Sequence, residues 1–296
     1  MGKKWVGFSV SLAMILLSLI LLPTKGLNLG IDFSGGIVIE ARLPQAADLG
    51  KMRDTLSGLK LGEISLQNFG SPEDVMIRIG HQAGGETAQM HAVERVKQAF
   101  ADHIPGLIEY RKTDFVGPQV GEELIEKGVL SMLCAFAAIM AYVWFRFEWQ
   151  YGIGALAALL HDAIITLGFF SLTGLEFNLT SIAALLTIIC YSINDSVVIY
   201  DRIRGNIRKF KKMPMEEILD TSLNETLSRT LLTVTTTLLA TLSLLLFGGE
   251  VIHSFSMAMF FGIIVGTYSS IYISAPLLIY LNLRTITLKS AALSTR

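Results

Sequence analysis

The chain has 296 residues, of which 52% are hydrophobic and 17% charged, and its formal net charge is −1. Soluble domains carry about 25% charged residues, so this balance indicates a membrane protein. The near-neutral net charge says nothing about nucleic acid, but no interleaving of basic and aromatic residues suggests such a partner, and none is expected. The glycine-rich lysine motif of nucleotide-binding loops is also missing, and no cofactor is expected.

Six apolar runs are each long enough to cross a bilayer as a helix, which takes about 18 residues or more. They are Trp5–Leu22, Gly128–Phe145, Tyr151–Thr173, Leu179–Tyr200, Thr230–Phe247 and Phe255–Leu281. The first run is long for a secretory signal and lacks a small-residue cleavage pattern, which favours a retained anchor. The predicted domains are helix 1 over 5–22, an outer domain over 28–121, helices 2–6 over 128–281 and a tail over 282–296.

The segment between the first two spans has the pattern of a small α+β domain. Ile37–Leu43 alternates apolar and polar residues, as a half-buried strand does. The pattern then predicts a helix over Ala46–Leu59, strands over Glu63–Phe69 and Asp74–Ile79, a helix over Glu86–Ile104 and a strand over Leu107–Val116. This β-α-β-β-α-β order predicts a ferredoxin-like unit. Its histidines, His81, His91 and His103, are too scattered to predict a metal site.

The distribution of basic residues predicts the orientation. The connection after the fourth span and the C-terminal tail carry Arg202, Arg204, Arg208, Lys209, Lys211, Lys212, Arg284, Lys289 and Arg296. The short connections Leu175–Asn178 and Gly248–Ile252 contain no Lys or Arg. Because basic loops stay on the cytoplasmic side, both termini are expected there and the ferredoxin-like domain outside. Cys134 and Cys190 lie inside predicted spans and are expected to be packing residues.

Small and polar side chains recur at helical spacing in three spans. The sets are Gly154, Ala158, Asp162 and Thr166 in the third span, Thr233, Thr237 and Thr241 in the fifth, and Ala258, Gly262, Gly266, Ser270 and Ser274 in the last. Small residues every four positions let two helices approach closely. Ordinary helix packing explains these strips.

Two sites place ionisable groups inside the membrane. Asn194 and Asp195 lie deep in the fourth span, and Arg229 opens the fifth span from the same side. A carboxylate costs roughly 2.5–3.5 kcal/mol at the bilayer centre, so such residues are usually functional. An Asp195–Arg229 pair is expected, which protonation of the aspartate would break. His161 and Asp162 form a second candidate pair in the third span. A buried structural ion pair is the alternative at both sites.

Several short motifs stand in a fixed order along the chain. They are Gly30-Ile31-Asp32-Phe33-Ser34-Gly35-Gly36, Val116-Gly117-Pro118, Arg146-Phe147-Glu148-Trp149, Leu160-His161-Asp162, Glu176-Phe177-Asn178-Leu179-Thr180, Tyr191-Ser192-Ile193-Asn194-Asp195, Asp201-Arg202-Ile203-Arg204, Leu227-Ser228-Arg229-Thr230 and Gly266-Thr267-Tyr268-Ser269-Ser270. In order and spacing, these motifs resemble those of the SecF family of the bacterial protein-export machinery. Together they cover almost the whole chain. Cys190 departs from the glycine that many members have there.

The resemblance implies a six-helix, RND-like half that pairs with SecD in the bacterial inner membrane. It implies a non-enzymatic role, in which the pair associates with the SecYEG channel and draws preproteins outward late in translocation, using the proton gradient. In the family, the residues matching Asp195 and Arg229 are implicated in proton passage. Besides these proteins, the expected contacts are membrane lipids.

Two other functions stay open at this point. An intramembrane aspartyl protease would also place two aspartates on neighbouring helices, and Asp162 and Asp195 could serve. Their His-Asp and Asn-Asp contexts differ from the Tyr-Asp and Gly-x-Gly-Asp contexts of such proteases. An RND-like half-transporter for lipids or small molecules is the other alternative, although an outer domain of about 90 residues is small for a pump.

Overall fold

The computed structural model describes residues 2, 4–59, 61–62, 64–69, 71–82, 84–104, 106–248 and 252–281. The elements in chain order are α1 (Lys4–Lys25), β1 (Asn28–Leu29), α2 (Ile31–Ser34), β2 (Gly36–Arg42), α3 (Leu49–Ser57), β3 (Ile64–Phe69), β4 (Ser71–Ile79), α4 (Gly85–His103), β5 (Glu109–Val116), α5 (Pro118–Arg146), α6 (Trp149–Thr173), β6 (Glu176–Phe177), α7 (Leu179–Lys209), α8 (Met215–Phe247), α9 (His253–Ser269) and α10 (Ala275–Tyr280). A π-helical turn, Ser270–Ser274, joins α9 to α10. The predicted tail over 282–296 lies outside the described residues.

The described part of the chain contains six helical segments long and apolar enough to cross a membrane: α1, α5, α6, α7, α8 and the α9–α10 rod. The predicted helical membrane fold with one α+β domain is therefore confirmed. Some helices continue beyond the predicted spans, and α7 runs on to Lys209. Its 31 residues are about 46 Å long, whereas the hydrocarbon core is about 30 Å thick, so its basic end extends into water.

The domain between α1 and α5 is a four-stranded antiparallel sheet in the order β3-β4-β2-β5. With α3 and α4 in the connections, this is the ferredoxin-like order. The alternation in β2 buries Ile37 and Ile39, which pair with Ile79 and Ile77 of β4. Phe100 of α4 packs on the same face of the sheet, in one apolar core.

The connection between α6 and α7 is attached to the base of this domain. Gly174 ends α6 in the left-handed conformation, at φ 71°, which glycine adopts without steric cost. Asn178 caps α7 in a reciprocal capping box with Ser181. Between these residues, β6 pairs in parallel with β1, the strand that follows α1. The N-terminal end of α7 is thus fixed to the point where the chain enters the α+β domain.

The helices of the bundle differ in burial. In the apolar stretch of each helix that is long enough to cross the membrane, 61% is buried in α6 and in the α9–α10 rod, against 17% in α8 and 11% in α5. Cys134 on α5 and Cys190 on α7 are both exposed. Neither cysteine is therefore part of the packing within this chain, and the expectation that they are packing residues finds no support inside the bundle.

Candidate functional site

Asp162 lies at the junction of α6, α7 and α9 and is fully buried. Its Oδ1 is 2.9 Å from Nδ1 of His161. Its Oδ2 accepts hydrogen bonds from the hydroxyls of Ser192, at 2.6 Å, and Ser269, at 2.8 Å. Both carboxylate oxygens are therefore occupied, and three helices meet on this one side chain.

The close approach of α7 and α9 depends on small residues. A Cβ added at Gly262 would come within 3 Å of Ile188, and one at Gly266 would lie 3.2 Å from the Cβ of Ser192. Ser270 continues this contact, since its hydroxyl lies 3.0 Å from that of Ser196. The small-residue strip predicted in the last span thus faces α7 of the same chain.

Polar contacts follow the same interface to the end of the π-helical turn. The hydroxyl of Tyr200 is hydrogen-bonded to that of Ser274. A Cβ on Gly154 of α6 would lie 2.9 Å from the same tyrosine oxygen. A π turn widens a helix locally. Here it coincides with the serines that meet α7.

Asp195 lies on a different side of α7, against α8, and only 5% of its surface is exposed. Its Oδ1 accepts a hydrogen bond from the Thr230 hydroxyl at 3.1 Å. Its Oδ2 has no hydrogen-bond partner among the residues that the structure describes. An oxygen buried without a partner is costly, and in native proteins it often marks a catalytic or exchange role.

The ion pair expected between Asp195 and Arg229 is not formed in the described part of the chain. The Asp195 carboxylate is instead hydrogen-bonded to the hydroxyl of Thr230. Successive helical residues are about 100° apart around the axis, so when Thr230 faces α7 its neighbour Arg229 cannot. Arg229 is exposed. Asn194 is also exposed.

Thr233 and Thr237 are half-buried on α8, and each hydroxyl donates to a backbone carbonyl of its own helix. The Tyr191 hydroxyl lies near both threonines but makes no hydrogen bond of ordinary geometry with them. These residues therefore contribute packing between α7 and α8 rather than a polar network.

The sequence analysis did not predict the hydroxyl groups that bind the two aspartates. Ser192 and Ser269 bind Asp162, and Thr230 binds Asp195. Ser192 is three residues before Asp195, yet it faces the other aspartate. Residues three apart lie only about 60° from each other around a helix, so a helical wheel does not assign them to different partners. The partners on α8 and α9 needed the tertiary structure.

A third set of contacts joins the bundle to the outer domain. Arg78 of β4 forms a close ion pair with Glu176 of β6. Burial raises the pKa of the Glu176 carboxyl, and Arg78 opposes this rise. Oδ2 of Asp32 accepts a hydrogen bond of 2.9 Å from the backbone N–H of Leu179, at the start of α7. A carboxylate is favourable there, where the helix dipole is positive.

Two family models match this chain. The model described as "Protein export membrane protein SecD/SecF, C-terminal" matches residues 95–284, and the "SecD/SecF GG Motif" model matches residues 20–47. The protein translocase subunit SecF of Rickettsia felis is 58% identical over 278 residues, covering 94% of this chain and 90% of the relative. The chain belongs to the SecF family. The SecF subunit of Rickettsia prowazekii is likewise 58% identical, with 94% and 89% covered.

Solved structures agree with this assignment. SecDF from Thermus thermophilus, described as a translocon-associated membrane protein, matches with a TM-score of 0.83 and 35% identity over 95% of this chain. SecDF in a "Super-membrane-facing form" matches with a TM-score of 0.72 and 34% identity over 99% of the chain. The chain spans 38% and 40% of these two SecDF chains. It is a subunit of a protein translocase of the Sec export pathway and a membrane protein.

Proposed function

We propose that this SecF-family subunit uses the proton gradient to promote the late-stage export and release of preproteins. In this proposal it acts with SecD in the bacterial inner membrane, beside the SecYEG channel, with both termini in the cytoplasm. The two-part SecDF structures support an association with SecD. The basic connection after α7, which includes Lys209, Lys211 and Lys212, supports the orientation.

The observation that carries this proposal is the difference between the two oxygens of Asp195. Oδ1 is held by Thr230, whereas Oδ2 is buried without a partner within the described residues. A proton on Oδ2 would remove the cost of a charge buried there, and loss of that proton would restore the cost. Asp195 is therefore the group we assign to proton exchange.

α7 offers a direct mechanical route from this site to the outer domain. Its first residue, Leu179, donates its backbone N–H to the Asp32 carboxylate, and the helix follows β6, which pairs with β1. A proton that crosses the full membrane potential supplies about 2.3 kcal/mol per 100 mV. That energy can bias two positions of the outer domain if the preprotein binds one of them better.

The remaining candidate residues receive distinct roles. Asn194 and Arg229 are exposed in this chain, so we assign them to contacts with SecD near Asp195. His161 and Asp162 keep α6, α7 and α9 in register while Asp195 changes its protonation state. The aspartyl-protease alternative gains no support, because both oxygens of Asp162 are already occupied by this chain.

The test is export from inverted membrane vesicles that contain this subunit with SecD and SecYEG. We expect Asp195→Asn to assemble normally and to lose gradient-dependent preprotein release, since an amide keeps the shape but cannot exchange a proton. Asp201→Asn is the matched control: it removes a carboxylate from the same helix, where Asp201 forms only an exposed pair with Arg146. Wild-type release by the Asp195→Asn protein would refute the proposal.

A further inference from the structure

A groove lies between the start of α1 and the first half of α8, on the membrane face that carries the basic connection between α7 and α8. Its cavity of about 390 Å³ is within the range of about 300–1,000 Å³ that small-ligand sites have. Leu227 and Tyr272 of its wall are 38% and 37% exposed, so the cavity opens at the side of the bundle. The described lining residues of this α1–α8 groove are Gly2, Lys4, Ile199, Asp220, Leu223, Asn224, Thr226, Leu227, Thr230, Ile271 and Tyr272.

One end of the α1–α8 groove is apolar. The wall there combines α7, α8 and the π-helical turn, and its large apolar residues are Ile199, Leu227, Ile271 and Tyr272. Thr226 and Thr230 also line this end, but their hydroxyls donate to a carbonyl of their own helix and to Asp195. Water in a cavity needs about two to four polar partners. This end therefore favours an apolar occupant over water.

The other end of the α1–α8 groove carries charges of both signs. Lys4 and Asp220 line it, and the Lys4 ammonium is 2.5 Å from a carboxylate oxygen of Glu216, one turn before Asp220. The predicted spans place the lysine nearer the hydrocarbon than the carboxylates. The first span begins at Trp5, next to Lys4, whereas Asp220 precedes Thr230, where the fifth span begins, by about 15 Å along α8.

Aromatic side chains mark this charged end as the boundary between membrane and water. Trp5 and Tyr280 are both exposed, and the Lys4 ammonium lies 5.8 Å from the centre of the Tyr280 ring. Tryptophan and tyrosine are enriched at the level of the lipid headgroups. The groove thus runs from the headgroup level into the edge of the hydrocarbon, as an amphipathic ligand would.

The order of charges selects the headgroup of such a ligand. In a zwitterionic phospholipid, the phosphate adjoins the glycerol and the cationic group lies further from the hydrocarbon. A phosphate beside Lys4 and a primary ammonium beside Asp220 and Glu216 would each make charge-assisted hydrogen bonds. A quaternary ammonium has no N–H to donate, and an anionic headgroup would bring its charge against the two carboxylates.

We propose that the α1–α8 groove binds one phospholipid with a primary ammonium headgroup, phosphatidylethanolamine. Its phosphate lies at Lys4, its ammonium at Asp220 and Glu216, and the start of an acyl chain against Ile199 and Leu227. The lipid bridges α1 and α8, two helices that the Lys4–Glu216 ion pair also joins. This site does not depend on proton exchange at Asp195.

Lipid competition tests the site on the full-length protein. The protein is purified in detergent and given an equimolar mixture of phosphatidylethanolamine, phosphatidylcholine and phosphatidylglycerol with identical acyl chains, and native mass spectrometry measures which lipid is retained. We expect phosphatidylethanolamine to be retained about tenfold over the other two, the ratio that one additional hydrogen bond between charged groups can supply. Equal retention of the three lipids, or no lipid retained by the folded protein, would overturn the site.

The headgroup assignment is tested by removing the two carboxylates together. In Glu216→Gln combined with Asp220→Asn, Lys4 keeps its charge, so the preference should move about tenfold toward phosphatidylglycerol. Glu217→Gln is the matched control, because this exposed neighbour on α8 is not part of the described wall. It should keep the wild-type preference. An unchanged preference in the double variant would overturn the headgroup assignment.

The position of the acyl chain is tested by filling the groove. Leu227→Trp should lower the retention of phosphatidylethanolamine about tenfold, whereas Ser228→Trp, at an exposed position outside the described wall, should leave it unchanged. Equal retention by the two variants would place the lipid elsewhere. If Leu227→Trp does not fold, the carboxylate variants still decide. Loss of the difference between Leu227→Trp and Ser228→Trp once SecD is bound would assign the groove to SecD and overturn the lipid.

Discussion

Two carboxylates share the membrane interior of this chain, and their surroundings differ in one respect. Asp162 sits where α6, α7 and α9 meet, with both oxygens occupied by His161, Ser192 and Ser269. Asp195 sits between α7 and α8 with one oxygen bonded and the other without a partner in the described chain. Both lie in the membrane, but only one is fully satisfied. We propose that this difference separates a carboxylate that holds helices together from one that can change its charge.

The largest effect on stability is expected at the satisfied carboxylate. Asp162→Ala would leave the Ser192 and Ser269 hydroxyls and the His161 ring without their acceptor. Leaving a buried donor without an acceptor costs about 1–3 kcal/mol per group, and of these donors the Ser269 hydroxyl keeps the Gly266 carbonyl as a second acceptor. We therefore expect a clear loss in thermal stability and in yield of the purified protein. Asp162→Asn, which keeps the shape and one acceptor oxygen, should cost less. Stability within about 1 kcal/mol of wild type for Asp162→Ala would remove the contrast.

The next effect concerns the packing that brings the Asp162 partners together. A Cβ at Gly262 would meet Ile188 within 3 Å, whereas one at Gly266 would meet Ser192 at 3.2 Å. Overpacking of this kind costs about 1–3 kcal/mol, so Gly262→Ala should lower the unfolding temperature more than Gly266→Ala. Chemical or thermal unfolding in detergent measures both. The reverse order would mean that α7 and α9 are not held as closely as described.

The Arg78–Glu176 contact extends the comparison to a third carboxylate, which is half-buried and lies between the predicted spans. Burial raises the pKa of Glu176 above its usual 4.5, and Arg78 opposes the rise. The folded state therefore binds this proton more tightly than the unfolded state, and stability falls as pH rises from 4.5 through the folded pKa. In Arg78→Ala the fall should extend to higher pH. The free energy of unfolding, measured as a function of pH from 4.5 upward, checks this prediction, with Arg42→Ala as an exposed control. Matching pH profiles for Arg78→Ala and wild type would count against the contact.

The smallest effect on stability is expected at Arg229. Its side chain is exposed and makes no ion pair with Asp195 in the described chain. Exposed substitutions usually change stability by less than about 0.5 kcal/mol, so Arg229→Ala should unfold at nearly the wild-type temperature. A fall of several degrees in the unfolding temperature would instead support the direct Asp195–Arg229 ion pair that the sequence predicted.

Sequence patterns were sufficient for the architecture because long apolar runs and strand alternation are local signals. They predicted the six spans, and the β-α-β-β-α-β order became the sheet β3-β4-β2-β5. The ends of α7 and α8 were not predicted, since hydropathy locates the part of a helix that lies in the membrane and not the residues at which the helix begins and ends. The two aspartates were also visible in the sequence. Their partners were not, because Thr230 and Ser269 reach them from other helices, and which face of α8 meets α7 is decided by packing.

The central claim is that Asp195 exchanges a proton and Asp162 does not. Infrared difference spectroscopy of the purified protein in lipid, on acidification, detects the C=O band of a newly protonated carboxyl group. The spectrum of Asp195→Asn is compared with wild type and with Asp162→Asn, provided that variant remains folded. The account predicts that the C=O band of a protonated carboxyl group buried in the membrane is present in wild type and in Asp162→Asn and absent in Asp195→Asn. Persistence of that band in Asp195→Asn, or its loss in folded Asp162→Asn, would contradict the account.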